Sequence, residues 1–354
     1  MAYANAEQIA ERLHFTEEDV FRINQITDQY PMLISEYYLN LIDPDDPNDP
    51  IRKMSVPSNL EAGEDGCADT SGEHDNTVIP GLQHKYKATA MILSTNQCAM
   101  YCRHCFRKRF VGLSDEEVAQ NFQNIMDYIR DHQEITNVLI SGGDAFMNDN
   151  ATLERYLKVL TAIDHLDFIR FGTRTPVTLP DRITKSWELC AMLKHYNEKK
   201  QLYVITQFNH PKEITEESKA AVRSLRATGA VVRNQTVLLR GVNDNPEILA
   251  SLLRQLTSIG CIPYYIFQCR PVRGVKNHFQ VPMSEGLDIV EAAKVLQSGQ
   301  GKNVKYCLSH PTGKLEIVGK TNTGGIILKY HQAKNPADSG KLILKEAGTD
   351  PYWL

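Results

Sequence analysis

From about residue 87 onward, short apolar runs alternate with amphipathic stretches, a pattern that predicts a repeated strand–helix unit. Strands are predicted at "ATAMILST" (88–95), "TNVLISG" (136–142), "LDFIRFG" (166–172), "LYVITQF" (202–208), "AVVRNQTVLL" (230–239) and "IPYYIFQC" (262–269). Helices are predicted near 114–132, 151–163, 183–198, 214–228, 245–258 and 283–297. The first would open at Ser114-Asp115-Glu116-Glu117, which reads as a capping box just before it. Strand–helix units in unbroken succession imply an α/β fold, a parallel sheet with helices outside. Periodicity alone leaves an open sheet and a closed barrel equally available, but ligands gather at the carboxyl ends of the strands in both.

The residues with chemistry in them fall at those ends. A cysteine loop follows the first strand, "GGD" the second, "TRTPV" the third, "NHPKE" the fourth, "RGVND" the fifth and "RPVRG" the sixth. Beyond residue 300 the pattern turns to "NVKYCLSH", "KLEIVG", "GGIILKYH" and "KLILKE", hairpin-like strands expected to cover that face or an end. Ahead of the repeat, a helix-like start leads to "LIDPDDPNDPIRK" and then to the acidic "LEAGEDGCADTSGEHDN" (60–76), expected to be an exposed loop. Three parts are therefore expected: an N-terminal helical and loop extension (1–86), a partial barrel (87–300) and a β-rich C-terminal cap (301–354).

Composition narrows the function classes. The chain has 354 residues, 42% of them hydrophobic, enough for a sizeable core, and a net charge of -4 that excludes a general nucleic-acid binder. No eighteen-residue apolar run and no secretory start are present, so a soluble, cytoplasmic protein with no membrane partner is expected. In that setting the eight cysteines stay reduced. Three of them, Cys98, Cys102 and Cys105, stand in a C-x3-C-x2-C spacing inside "NQCAMYCRHCFRKRF". A structural zinc site wants four ligands, and only His104 or a distant cysteine would complete one here. A four-iron cubane held by three thiolates instead leaves one iron open for a substrate or cofactor.

This motif after the first strand of a βα barrel resembles the radical S-adenosylmethionine (SAM) enzymes. Together with "LISGGDAF", "GTRTPVTLPDRIT", "FNHPKEIT", "NQTVLLRGVND", "PYYIFQC" and the upstream "IPGLQHKYK", it resembles the lysine 2,3-aminomutase family over about residues 30–320. The resemblance implies an incomplete (β/α)6 TIM-like barrel and an isomerase that moves an α-amino group to the β-carbon. It implies a [4Fe–4S] cluster on Cys98, Cys102 and Cys105, with SAM along Gly142, Gly143, Asp144 and Arg174. It also implies pyridoxal 5′-phosphate (PLP) bound as an imine to Lys314, with Lys85 and Gln235 on its phosphate side. The family's longer glycine run is reduced here to Pro311-Thr312-Gly313, and Thr89 stands where a second arginine is expected. These two departures keep open an alternative of another class of reaction, a radical SAM enzyme of this fold without PLP that epimerises its substrate or modifies a protein residue.

For the substrate, the resemblance implies an amino acid whose α-carboxylate is clamped by Arg107. The lysine-acting enzymes carry an aspartate directly after "QC" and a second one before the cofactor lysine. Here those positions hold Arg270, with Arg273 close by, and Ser309 or Cys307. An arginine facing an ammonium in a low-dielectric site repels it, so an acidic or polar side chain, glutamate among them, is expected instead. A reductant such as flavodoxin or ferredoxin is implied. So is a homo-oligomer, though not the family's zinc-braced swapped tetramer, since Asn245 replaces a zinc cysteine.

Overall fold

In a computed structural model of the chain, which describes residues 1–348 and 350–354, twelve strands form one continuous sheet whose spatial order follows the chain order. The first two strands, β1 (Thr77–Ile79) and β2 (Leu82–Tyr86), run antiparallel into the predicted first barrel strand, β3 (Thr89–Thr95). Then follow β4 (Asn137–Gly142), β5 (Phe168–Gly172), β6 (Gln201–Thr206), β7 (Val231–Leu238) and β8 (Ile262–Gln268), each parallel to its predecessor. A further parallel strand, β9 (Lys305–His310), precedes the antiparallel β10 (Gly313–Lys320), β11 (Ile326–Ala333) and β12 (Leu342–Lys345). The terminal strands of this sheet do not pair with each other, so the barrel is open.

The six predicted helices lie between these strands, and an additional helix, α1 (Glu17–Thr27), belongs to the N-terminal region. The crossovers are α2 (Phe122–Asp131), α3 (Asn150–Leu160), α4 (Trp187–Asn197), α5 (Glu216–Ala227), α6 (Pro246–Ser258) and α7 (Met283–Val295). Local chemistry fixes several starts: Asp149, Thr215 and Asn245 each accept a backbone N–H of the first turn through the side chain, and Pro246 occupies the first turn of α6. Strand β7 shows why the layers form. Val232, Asn234, Thr236 and Leu238 are buried on one face, while Gln235 and Val237 turn to the barrel interior.

Three sequence expectations change here. Residues 114–120 are not helical; Asn121 caps α2, and Ala119 N–H instead donates to Leu93 O (2.8 Å) at the end of β3. The Ser114 hydroxyl still accepts from Glu116 N–H, but the turn it makes does not propagate. The acidic stretch 60–76 is the expected exposed loop only at residues 64–68; on either side of them Glu61 and Glu73 are buried beside the cysteine loop. Strands β1 and β2, in the segment read as an extension, belong to the main sheet, and β9 extends it in parallel at the other end where hairpin-like strands were expected. No helix among the described residues is long and apolar enough to cross a membrane.

Candidate active site

A cavity of about 380 Å³ fills the barrel, and every strand from β2 to β11 lends it at least one side chain. The ionised groups in its wall are unevenly matched. Lys85, Arg107, Arg170, Arg174, Arg270 and Lys314 line it, against the two carboxylates Glu73 and Asp144. Buried polar atoms without a protein partner also cluster in this wall: Ser71 Oγ, Asn76 Oδ1, Gln83 Nε2, Arg170 Nε, Thr206 Oγ1 and Arg270 Nη1. Buried donors and acceptors are rarely left unmet, so such a wall is made to be completed by a polar, net-anionic ligand.

Cys98, Cys102 and Cys105 line the carboxyl end of this cavity, just past β3. Burial pushes the Cys98 thiol well above its ordinary range, with Asp144 adding to the effect, and moves Cys105 up to about 11. Thiolates at such a place need cationic iron to form. Among the described residues no three His, Cys, Asp or Glu stand close enough to share one ion. That fits a cluster, which takes one thiolate per iron, better than zinc.

The basic residues of the loop are neutralised by the N-terminal acidic stretch. Arg103 donates to Glu61 (2.5 Å) and Lys108 donates to the same carboxylate (2.6 Å), with Glu61 and Arg103 almost wholly out of water. Arg107 donates from Nε to Glu73 Oε1 (2.9 Å) and from Nη1 to Gly142 O (3.0 Å), while Arg109 reaches Glu73 Oε2 (3.2 Å). Neighbouring arginines, Arg107 first, and hydrogen bonds hold the Glu73 carboxyl below its usual value against the opposing effect of burial. Arg107 thus stands in the cavity wall already paired.

The "GGD" turn ties β4 to the cysteine loop. A Cβ on Gly142 would lie 2.2 Å from Thr95 O at a φ of +123°, and one on Gly143 would lie 2.4 Å from Gln97 O. The close approach these glycines permit is to the cysteine loop's own backbone. Gly143 and Asp144 N–H groups donate to Thr95 O (2.6 Å) and Gln97 O (2.8 Å). The Asp144 carboxylate accepts from the N–H groups of Phe146 (3.0 Å) and Arg174 (2.6 Å), and burial raises its pKa. Arg174 spans the rim: Nη1 donates to Cys102 Sγ (2.8 Å), Nε to Gln207 O (3.0 Å) and Nη2 to the buried Glu213 (2.5 Å).

At the other side of the cavity Lys314 opens β10, with its Nζ 4.1 Å from the centre of the Tyr265 ring. Burial, reinforced by Arg170, Arg270 and Lys85, pushes this amine down to about 8. Lys85 projects from β2 across the barrel's open seam and donates to Ser71 O (3.2 Å) and His310 O (2.7 Å). Thr89, Gln235 and Ser309 also line the cavity. Arg270 packs over the Phe106 ring at 4.1 Å and has no ion pair among the described residues; burial lowers its pKa to about 10. Arg273 is exposed, next to a turn with Gly274 at positive φ, and does not line the cavity. Cys307 is buried outside the wall.

Residues 92–253 match the Radical SAM superfamily. The chain is 41% identical over 316 residues to the L-lysine 2,3-aminomutase of Clostridium subterminale, covering 88% of this chain and 73% of that protein. It is 38% identical over 343 residues to the L-lysine 2,3-aminomutase of Acetoanaerobium sticklandii, covering 96% and 78% respectively. Against the glutamate 2,3-aminomutase of Clostridioides difficile it is 39% identical over 364 residues, covering 98% and 84%. The chain belongs to the lysine 2,3-aminomutase family. As a radical SAM aminomutase-family member it is an enzyme of the isomerase class, working with a [4Fe–4S] cluster and SAM.

Several site residues of this aminomutase-family enzyme escape sequence reasoning. Glu73 and Ser71 lie in a stretch whose acidity reads as solvation, although the four cations Arg103, Arg107, Lys108 and Arg109 call for buried counter-charges. Arg170 sits inside the apolar run "FIRFG", where only its parity with Gly172 signals an inward side chain.

Proposed function

We propose that this enzyme is a PLP-dependent 2,3-aminomutase acting on an α-amino acid with an acidic or polar side chain, glutamate included, and not on lysine. Arg270 carries the proposal: it is a partly buried guanidinium in the cavity wall, with its Nη1 out of water and unmatched and, among the described residues, without a carboxylate partner. An anionic side chain satisfies it; an ammonium is repelled. The cavity holds no carboxylate to spare for a lysine ammonium, since Glu73 is in two ion pairs and Asp144 accepts backbone amides. Overall identity does not choose the substrate, being 41% to a lysine enzyme and 39% to a glutamate enzyme.

In this reading Cys98, Cys102 and Cys105 hold the cluster, and Gly142, Gly143, Asp144 and Arg174 shape the SAM side. Arg107, fixed by Glu73, presents the edge that meets the α-carboxylate. Lys314 takes PLP through its amine, and Lys85 and Gln235 lie on the phosphate side. Bound PLP supplies electron delocalisation for the migrating nitrogen, while the chain orients the substrate and excludes water. The lowered pKa of Lys314 and the cationic wall support PLP; the exposed Arg273 is not assigned a contact. A flavodoxin- or ferredoxin-type donor supplies the electron.

The test is turnover by anaerobically reconstituted enzyme given SAM, reductant, PLP and single amino acids, with β-amino acid isomers detected by mass spectrometry. Glutamate or another acidic or polar amino acid is expected to isomerise with lysine unreactive; a lysine rate equal to or above the rest would sink the substrate assignment. Borohydride treatment followed by peptide mapping is expected to leave a pyridoxyl group on Lys314. An unlabelled Lys314 in otherwise active enzyme would favour radical chemistry without PLP.

A further inference from the structure

The cavity contains one guanidinium that neither the cluster end nor the substrate end uses. Arg170 projects from β5 into the barrel, and its only hydrogen bond among the described residues runs from Nη2 to Asn137 Oδ1 (2.6 Å). Its Nε is buried and unpartnered, and among the described residues it has no ion pair. The same Asn137 oxygen accepts the Thr89 hydroxyl (3.3 Å), while Asn137 Nδ2 donates to Ala88 O (2.8 Å). The amide is therefore oriented by backbone, and it aims Arg170 rather than neutralising it.

We propose that Arg170 is a phosphate-binding residue of this chain, receiving the phosphomonoester of PLP and supplying the positive charge that Thr89 does not. The inference rests on the PLP reading above and deepens it. Three observations carry it together. A desolvated guanidinium with an unmatched buried donor is unfavourable unless an anion completes it, and a phosphate offers several acceptor oxygens. Arg170, Arg270 and Lys85 all act on the Lys314 amine, and with Lys314 they line the same cavity, so a dianion is the ligand best matched to the charge of that wall. Thr89, Arg170, Lys85 and Lys314 all line one cavity, so a ligand fixed at Lys314 has its other end within the same enclosure. Free phosphate and a substrate carboxylate share this chemistry, so the experiment separates them from the cofactor's own phosphate.

The experiment measures the affinity of cluster-reconstituted enzyme for PLP and for pyridoxal, which lacks the phosphate, by absorbance titration. Arg170→Gln is expected to weaken PLP binding by about 10- to 100-fold, the value of losing charged hydrogen bonds, while pyridoxal binding stays within about twofold. Arg170→Lys, which keeps the buried charge, is expected to fall between wild type and Arg170→Gln for PLP. Iron content and SAM binding serve as the folding control. Equal losses for PLP and pyridoxal, or PLP affinity equal to wild type in both variants, would overturn the proposal. Wild-type enzyme that leaves no pyridoxyl group on Lys314 would bring down the PLP reading itself, whereas a labelled Lys314 with unchanged variants sinks only the role of Arg170.

Discussion

Lys314 and Arg270 are the two side chains whose surroundings most constrain what the enzyme does. Only the neutral amine of a lysine attacks an aldehyde, and burial brings Lys314 down to about 8 from an ordinary value near 10.5. The sign follows: below pH 8 the group is mostly protonated and unreactive, and above it the neutral fraction saturates. The rate of PLP attachment, followed by absorbance, is therefore expected to rise with pH and level off between pH 8 and 9; a rise continuing beyond pH 10 would mean an unperturbed lysine. At Arg270, substitution by Asp reverses the charge offered to the substrate side chain. Arg270→Asp is expected to cut kcat/KM for an acidic substrate by at least ~30-fold, the low end of what losing a buried charge partner costs, and to shift preference toward lysine. Unchanged selectivity would count against Arg270 as the side-chain reader. That both residues would reach the site was legible in the sequence from motif position, and both do line the cavity. What was not legible was Arg107's engagement with Glu73, since a pair separated by 34 positions leaves no local pattern.

At the scale of elements, the barrel's strands and helices were readable because their apolar periods are long and regular, and apart from the start of α2 the described boundaries differ from the expected ones by a few residues. The failures share a cause: tertiary contacts override local signals. Ser114-Asp115-Glu116-Glu117 has the composition of a helix start, yet the following residues are drawn against β3 through Ala119 and Leu93. The 60–76 segment has the composition of a solvated loop, yet it brings two carboxylates to the arginines and lysine of the cysteine loop. That assignment makes a prediction. Glu61→Ala leaves Arg103 and Lys108 buried without counter-charge, a loss of about 3–5 kcal/mol for a broken buried pair. Denaturant unfolding of the variant is expected to show that loss, with lower iron retention because both cations belong to the loop that carries the cluster cysteines. A midpoint within experimental error of wild type would mean that the segment is a detachable surface loop after all.

For the whole molecule, the continuous sheet determines how far the enzyme can be divided. Division at residue 300 was read from a change in strand pattern, but the sheet does not change there: β9 adds in parallel to β8, and β10 to β12 follow by pairing. Tyr306, Leu308, Leu315, Ile317, Ile326 and Leu328 lie in the same apolar core as the barrel strands. The chain end is pinned too, with Met283 N–H donating to Pro351 O (2.7 Å) and Gln268 Nε2 to Tyr352 O (3.0 Å). Cutting after residue 300 would expose the β8 edge and the apolar faces of α7 and β8, and it would remove Lys314 with its hairpin. A truncated chain ending at residue 300 is therefore expected to show no cooperative unfolding transition and to aggregate during cluster reconstitution. If it unfolded cooperatively at the wild-type midpoint and bound a cluster and SAM, the C-terminal strands would be a separable cap. The expected failure would instead show that the strand bearing Lys314 is structurally inseparable from the barrel whose cavity its amine enters.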